Sequence, residues 1–187
     1  MKGVIFKHFE SFVGESFGFD VFEEILESTQ LQTRTAFVGP ETYPDEDLVA
    51  LLTTAVQRLG ISPADALEAF GKYLFGRLVT QHPDFVERVS DLKSFLLTVE
   101  DVIHVEVRKL FPGAVTPSFE YEDTAPDRLV IRYRSPRKLC ALFRGLLQGA
   151  AERFEQPVSY EELACLHEGA DACCFDITIA QSQRKAG

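Results

Sequence analysis

The stretch Arg128-Leu129-Val130-Ile131-Arg132-Tyr133-Arg134-Ser135-Pro136-Arg137 decides the fold. Leu129, Ile131 and Tyr133 alternate along it, the period of a strand with one buried face. Pro136 cannot continue a central strand but suits the first turn of a helix, so Ser135 reads as an N-cap and Arg137 as a first-turn residue. The switch predicts a strand over 128–134 and a helix from 136 to about 154. Two hydroxyls and a guanidinium then converge on the positive end of a helix, which makes an anion site.

Upstream, the chain reads as helices. Val4, Ile5, Phe9, Phe12 and Val13 recur at helical spacing, as do Val21, Phe22, Ile25 and Leu26. A loop over 39–44 precedes an amphipathic helix over 45–59, stopped by Gly60. Ser62-Pro63 opens the next helix, which carries Ala66, Leu67, Phe70, Leu74 and Phe75 and breaks at His82-Pro83. The longest helix runs from 84 or 90 to 111, with a stripe of Leu92, Phe95, Leu96, Val99, Val102, Ile103, Val107 and Leu110. His104 falls on the flank of that stripe, in register with Leu97 and Phe111. Downstream, 119–122 reads as a strand and a hairpin pairs 162–167 with 173–179, leaving a polar tail over 181–187. The fold class is α+β: a helical N-terminal subdomain, about 1–62, packed on an α+β subdomain over 63–180.

Composition narrows the function. The 187 residues, 45% hydrophobic with 16 Phe and no Trp, suit one domain or two interlocked subdomains with a sizeable core. A net charge of -10 without a basic cluster argues against nucleic acid and against an anionic membrane surface. No apolar run has the length of a membrane span, and Lys2, Lys7 and Glu10 interrupt the N-terminus too early for a signal peptide. The expected location is the cytoplasm, where Cys140, Cys165, Cys173 and Cys174 would be thiols or metal ligands.

His104 offers a neutral imidazole nitrogen to a metal, while Tyr133, Ser135 and Arg137 offer donors to a dicarboxylate. Haem needs that pair of features, an axial ligand for iron and donors for two propionates. The same residues also read as a core histidine bonded to a carbonyl, and as a strand end followed by a helix cap.

In its order of motifs the chain resembles the haem-nitric oxide/oxygen-binding (H-NOX) domain family, relatives of the sensor domain of soluble guanylate cyclase. Met1-Lys2-Gly3, His104, Pro117 and Tyr133/Ser135/Arg137 carry the resemblance, which covers nearly the whole chain as a single domain. It implies haem b buried between a helical subdomain and one with a four-stranded antiparallel sheet. By the same resemblance His104 is the iron ligand, Tyr133, Ser135 and Arg137 hold the propionates, and Pro117 presses on the porphyrin. Ile5, Phe9, Leu74, Leu142 and Leu146 would line the pocket. Oxygen-binding members have tyrosine where this chain has Leu142, and neither Phe9 nor Leu74 donates a hydrogen bond; Tyr73 is out of phase. The resemblance therefore implies a nitric oxide sensor that excludes oxygen and is not an enzyme. Its partner would be a separate protein, such as a histidine kinase or a diguanylate cyclase/phosphodiesterase, because 187 residues leave no room for an effector domain.

The cysteines contain no CxxC knuckle and read first as reduced core thiols. Some bacterial H-NOX proteins are similar in holding a structural zinc with three cysteines and a histidine, and Cys140, Cys165 and Cys173 match in spacing. Glu162 stands where that histidine would be. His167 is then the expected fourth ligand, because Cys165 and His167 share a side if the strand continues, with Glu162 or Cys174 as alternatives. Two other functions fit the same residues: a zinc/thiol redox sensor, and a haem-free enzyme using Cys165 and His167. The enzyme lacks a recognisable nucleophile–base–oxyanion arrangement. A haem-transfer or scaffolding protein is a third rival.

Overall fold

The structure, a computed structural model, describes residues 1–180; the tail over 181–187 lies outside the described residues. Helices α1 (Gly3–Phe17), α2 (Phe19–Ser28) and α3 (Asp45–Leu59) enclose a core containing Phe6, Phe9, Phe12, Ile25 and Leu51. Gly60, left-handed at φ 68°, ends α3 as the sequence requires. Ser62 then caps α4 (Pro63–Gln81), its hydroxyl accepting from Asp65 N–H at 3.0 Å. Helix α4 serves both halves: Phe70 and Leu74 join the N-terminal core, and Phe75 joins the second one.

That second core lies under the expected sheet. Strands β1 (Ser118–Ala125), β2 (Arg128–Arg134), β3 (Val158–Ala164) and β4 (Cys173–Ile179) are antiparallel in the order β1-β2-β4-β3. Leu129, Ile131 and Tyr133 lie opposite Ile177, Phe175 and Cys173, and all six are buried. Phe143, Leu147 and Ala150 of helix α8 (Cys140–Arg153) belong to the same core.

Three sequence expectations are corrected. Helix α8 begins at Cys140 rather than Pro136. Residues 135–138 form a turn, closed by Lys138 N–H donating to the Ser135 carbonyl at 3.1 Å, and Lys138 is left-handed at φ 51°. Ser135 is therefore not the helix cap, and Arg137 lies before the helix.

The long helix over 84–111 is also divided, into α5 (Asp84–Glu87), α6 (Leu92–Thr98), a π-helical turn (Val99–Ile103) and α7 (His104–Leu110). His104 N–H bonds to the Val99 carbonyl, five residues back. The added residue rotates α7 by about 100°, one residue's share of an α-turn. Val102 and Leu110, apolar-stripe positions in an unbroken α-helix, are accordingly exposed. Ile103 and Val107 of that stripe are half-buried, and so are His104 and Phe111.

The third correction concerns the hairpin. Strand β3 ends at Ala164, and Leu166–Glu168 is a single 3-10 turn.

Helices α4 and α8 cross so closely that only glycine fits. A Cβ on Gly145 would lie 2.0 Å from the Glu68 carbonyl oxygen, and one on Gly71 would lie 2.3 Å from that of Leu142. Gly76, on α4, faces open space. Gly145→Ala should thus destabilise the fold by about 1–3 kcal/mol through forced backbone separation. Gly76→Ala should stabilise it by about 0.5–1 kcal/mol. Thermal melts of the two variants check both signs.

Candidate functional site

The π turn delivers His104 to the interior edge of β1. Its side chain is 13% exposed, and its ring stacks on Phe119 with centroids 5.5 Å apart. Nδ1 lies 3.2 Å from Glu100 Oε2. Burial holds the imidazole below its ordinary range, outweighing Glu100 and the Pro117 carbonyl, both of which favour the cation. The ring is therefore neutral at neutral pH, the form a metal takes, with Nε2 as the second nitrogen.

Tyr133 is 3% exposed and stands between Phe119 and Phe143. Burial pushes its phenol up to about 12, so it remains a hydrogen-bond donor. Ser135 Oγ accepts from Arg137 N–H at 3.2 Å, which leaves its own proton to give. Arg137 donates from Nη1 to the Val115 carbonyl at 2.7 Å. Its Nε is buried and 2.7 Å from Asp45 Oδ2, but the angle leaves Nε without a hydrogen bond. The Met1 ammonium grips the other oxygen of Asp45. Burial would raise the Asp45 carboxyl, but Met1 and Arg137 win and hold it below the usual carboxylate range. The residues expected at 133–137 thus lie at the end of β2 and on the turn after it, not at a helix terminus.

The apolar residues divide between two settings. Phe9 on α1 and Leu74 on α4 are buried in the N-terminal core. Ile5 on α1, Leu142 and Leu146 on α8, and Pro117 just before β1 are half-buried. Leu146 touches both cores. Neither the π turn nor α7 has a fully buried residue, although Val99, Ile103, Val105 and Val107 line them. These features fit haem: a neutral histidine, a guanidinium beside two hydroxyls, and apolar walls of which Ile5, Leu142 and Leu146 are only half-buried. Tyr73 carries its ring to Phe12 and beneath the Arg77 guanidinium, 4.8 Å away, as its helical phase requires.

A second cluster forms at the start of α8. Sγ of Cys140, Cys165 and Cys173 and a carboxylate oxygen of Glu162 lie within 4.8 Å of one another. The Cys165 sulfur is 3.9 Å from that of Cys140 and 3.8 Å from that of Cys173. Glu162 Oε2 accepts from Arg144 Nη1 at 3.0 Å, while Oε1 is buried with no partner. Arg144 Nε in turn donates to Glu68 on α4 at 2.6 Å. Burial pushes the Cys173 thiol up to about 12.

His167 is not in this cluster. The 3-10 turn takes it to the surface, with Nε2 2.8 Å from the Lys138 carbonyl oxygen. Cys174 alternates to the other face of β4, opposite Arg132. Glu162 completes the four, where the β3–β4 register shifts between Glu162 and Ala164.

The comparisons with known proteins agree with this fold. A family model described as haem-NO-binding matches residues 2–162. An H-NOX protein from S. oneidensis, solved in the Fe(II)NO ligation state, is similar at TM-score 0.90 and 34% identity, over 97% of this chain and 100% of that one. The unliganded Fe(II) A71G mutant of an H-NOX protein from K. algicida gives TM-score 0.87 and 26% identity, over 98% of each chain. Over 160 residues the chain is 25% identical to the soluble guanylate cyclase gcy-35 of Caenorhabditis elegans. That match takes in 82% of this chain, which spans only 23% of the cyclase's length. The chain belongs to the haem-NO-binding, or H-NOX, family of haem-binding gas-sensor domains. Among the described residues, no helix is long and apolar enough to cross a membrane.

Glu100 and Asp45 belong to this site too, although neither is among the residues expected from the sequence. Glu100 carries a readable signal, a carboxylate one helical turn before His104. Asp45 carries none, because its partners Met1 and Arg137 are remote in sequence.

If Arg137 holds a propionate, Arg137→Ala should speed haem loss about tenfold or more, the effect of removing a charge-assisted hydrogen bond. Arg128→Ala, which breaks an exposed pair with Asp176, should leave it unchanged. Transfer of haem to an apo-globin scavenger measures both rates.

Proposed function

We propose that this chain is a sensor of nitric oxide, rather than an enzyme, in which His104 ties haem iron to the helix α7. The observation that carries the reading is the meeting of neutral His104, Pro117 and the Tyr133/Ser135/Arg137 donors at one edge of the sheet. Ferrous haem, if bound, would be held by His104 and the Tyr133/Ser135/Arg137 donors and would supply an iron that takes NO. Tyr133, Ser135 and Arg137 fix the propionates and thereby orient the group against α7. Pro117, half-buried before β1, would line the porphyrin on the His104 side.

Selectivity rests on Leu142. Bound oxygen is polarised and gains from a nearby hydrogen-bond donor, whereas NO gains little. Leu142 and Leu146 on α8, with Ile5, Phe9 and Leu74 across from them, supply no side-chain donor. Freed from iron, His104 lets α7 and the adjoining π turn relax relative to β1, a two-state element biased by one ligand. A separate signalling protein, such as a histidine kinase or a diguanylate cyclase/phosphodiesterase, reads that change in the cytoplasm.

The absorption spectrum of the ferrous protein should change with NO and with CO and remain unchanged in air. Leu142→Tyr should introduce an oxygen response. A wild-type spectrum that responds reversibly to air would contradict the selectivity claim.

A metal reading accompanies this one. Three thiols and a carboxylate oxygen of Glu162, within 4.8 Å of one another, suit a structural zinc ion, and Glu162 Oε1 is buried with no partner. Oxidation of these cysteines would release such an ion and loosen the start of α8, which is the thiol-redox alternative to gas sensing. Metal analysis should find zinc in the purified protein and in His167→Ala. It should be lost from Cys173→Ser and reduced on the order of 10-fold or more in affinity in Glu162→Ala. Equal zinc retention in Glu162→Ala and wild type would exclude Glu162 as a ligand.

A further inference from the structure

Glu100 is placed one helical turn before His104, with its carboxylate against the imidazole. Its Oε2 lies 3.2 Å from His104 Nδ1 and accepts from the Phe119 backbone N–H at 3.1 Å. Its Oε1 faces Arg108 Nη1 at 3.8 Å. The carboxylate is therefore tied to β1 through Phe119, the residue whose ring stacks on the imidazole. Both partners are sheltered, with side chains 23% and 13% exposed. Tyr121 lies beside the Glu100 backbone with its own hydroxyl buried. The nearby acids do not compete: Asp101 is exposed, and Glu106 pairs with Lys109.

We propose that Glu100 is the positioning residue for His104, and that its carboxylate sets the strength of the iron–histidine bond that NO has to break. The inference rests on the reading of His104 as the iron ligand. A carboxylate at Nδ1 fixes the tautomer: Nδ1 carries the proton and Nε2 presents its lone pair to a metal. An anionic acceptor also draws that proton more strongly than a neutral carbonyl would. Electron density on the imidazole rises, and Nε2 becomes a stronger donor. The bond from Phe119 N–H to the same oxygen limits this effect by sharing the acceptor's charge. Release of His104 by NO is thus opposed by an amount this chain sets one turn upstream of the ligand.

Resonance Raman spectroscopy of the ferrous, haem-loaded protein tests the proposal through the iron–histidine stretch. Glu100→Gln keeps the size of the side chain and an acceptor for Phe119 N–H but removes the charge. It should melt at the wild-type temperature yet shift the stretch to lower frequency, and haem should leave on the order of 10-fold faster. Glu100→Ala should shift it at least as far. A role confined to folding would move the melting temperature and leave the frequency alone.

A Glu100→Gln stretch identical to wild type, with His104 still bound, would overturn the proposal. His104→Gly separates the two layers of the claim. Loss of the stretch in His104→Gly, with rescue by added imidazole, supports the ligand assignment. Persistence of the wild-type stretch in His104→Gly would overturn that assignment and the proposal with it.

Discussion

The geometry of the site depends on one extra residue in the turn Val99–Ile103. An unbroken α-helix through this region would satisfy its apolar period with Val102 and Leu110 and leave His104 on the flank. The π turn rotates α7, leaves Val102 and Leu110 exposed and sets Glu100 and His104 against Phe119 of β1. Turns of this kind exchange ideal hydrogen-bond geometry for side-chain placement and concentrate at functional positions. Here the placement yields a neutral imidazole with one nitrogen committed to Glu100 and its plane set by Phe119.

Around that ligand the fold joins elements remote in sequence. Asp45, at the start of α3, sits between the Met1 ammonium and Arg137, so the donor turn at 135–138 is tied to the N-terminal helices by charge. Helix α4 contributes to both apolar cores and meets α8 at Gly71 and Gly145 with no room for a side chain. Helix α8 begins with Cys140 of the thiol cluster and continues into Leu142 and Leu146 of the apolar walls. Arg144 on the same helix bridges Glu162 of that cluster and Glu68 of α4. The proposed gas site and the proposed metal site thus share one helix, and disorder at the cysteines would reach the distal wall through it.

Much of this is legible in the sequence where a single residue dictates local geometry. Gly60 and Ser62-Pro63 mark helix ends that the structure keeps, because a left-handed C-cap and an N-cap with proline have few alternatives. The alternation at Leu129, Ile131 and Tyr133 identifies the buried face of β2. The π turn is not legible, because the apolar spacing continues in α register through it. Ser135-Pro136 misleads for a related reason: serine followed by proline suits both a helix start and the turn that forms here. Lys138 adopts positive φ without being glycine, so nothing in its identity announces that turn. His167 belongs at the thiol cluster only if β3 continues through Cys165. The 3-10 turn ends that alternation and leaves the place to Glu162.

The central claim is that NO frees His104 from iron. Electron paramagnetic resonance of the ferrous protein saturated with NO tests it most directly, because the unpaired electron reports every nitrogen bonded along its axis. The account predicts a three-line hyperfine pattern from the NO nitrogen alone. Further splitting of each line, lost when the histidine nitrogens are isotopically replaced, would show His104 still bound and contradict it.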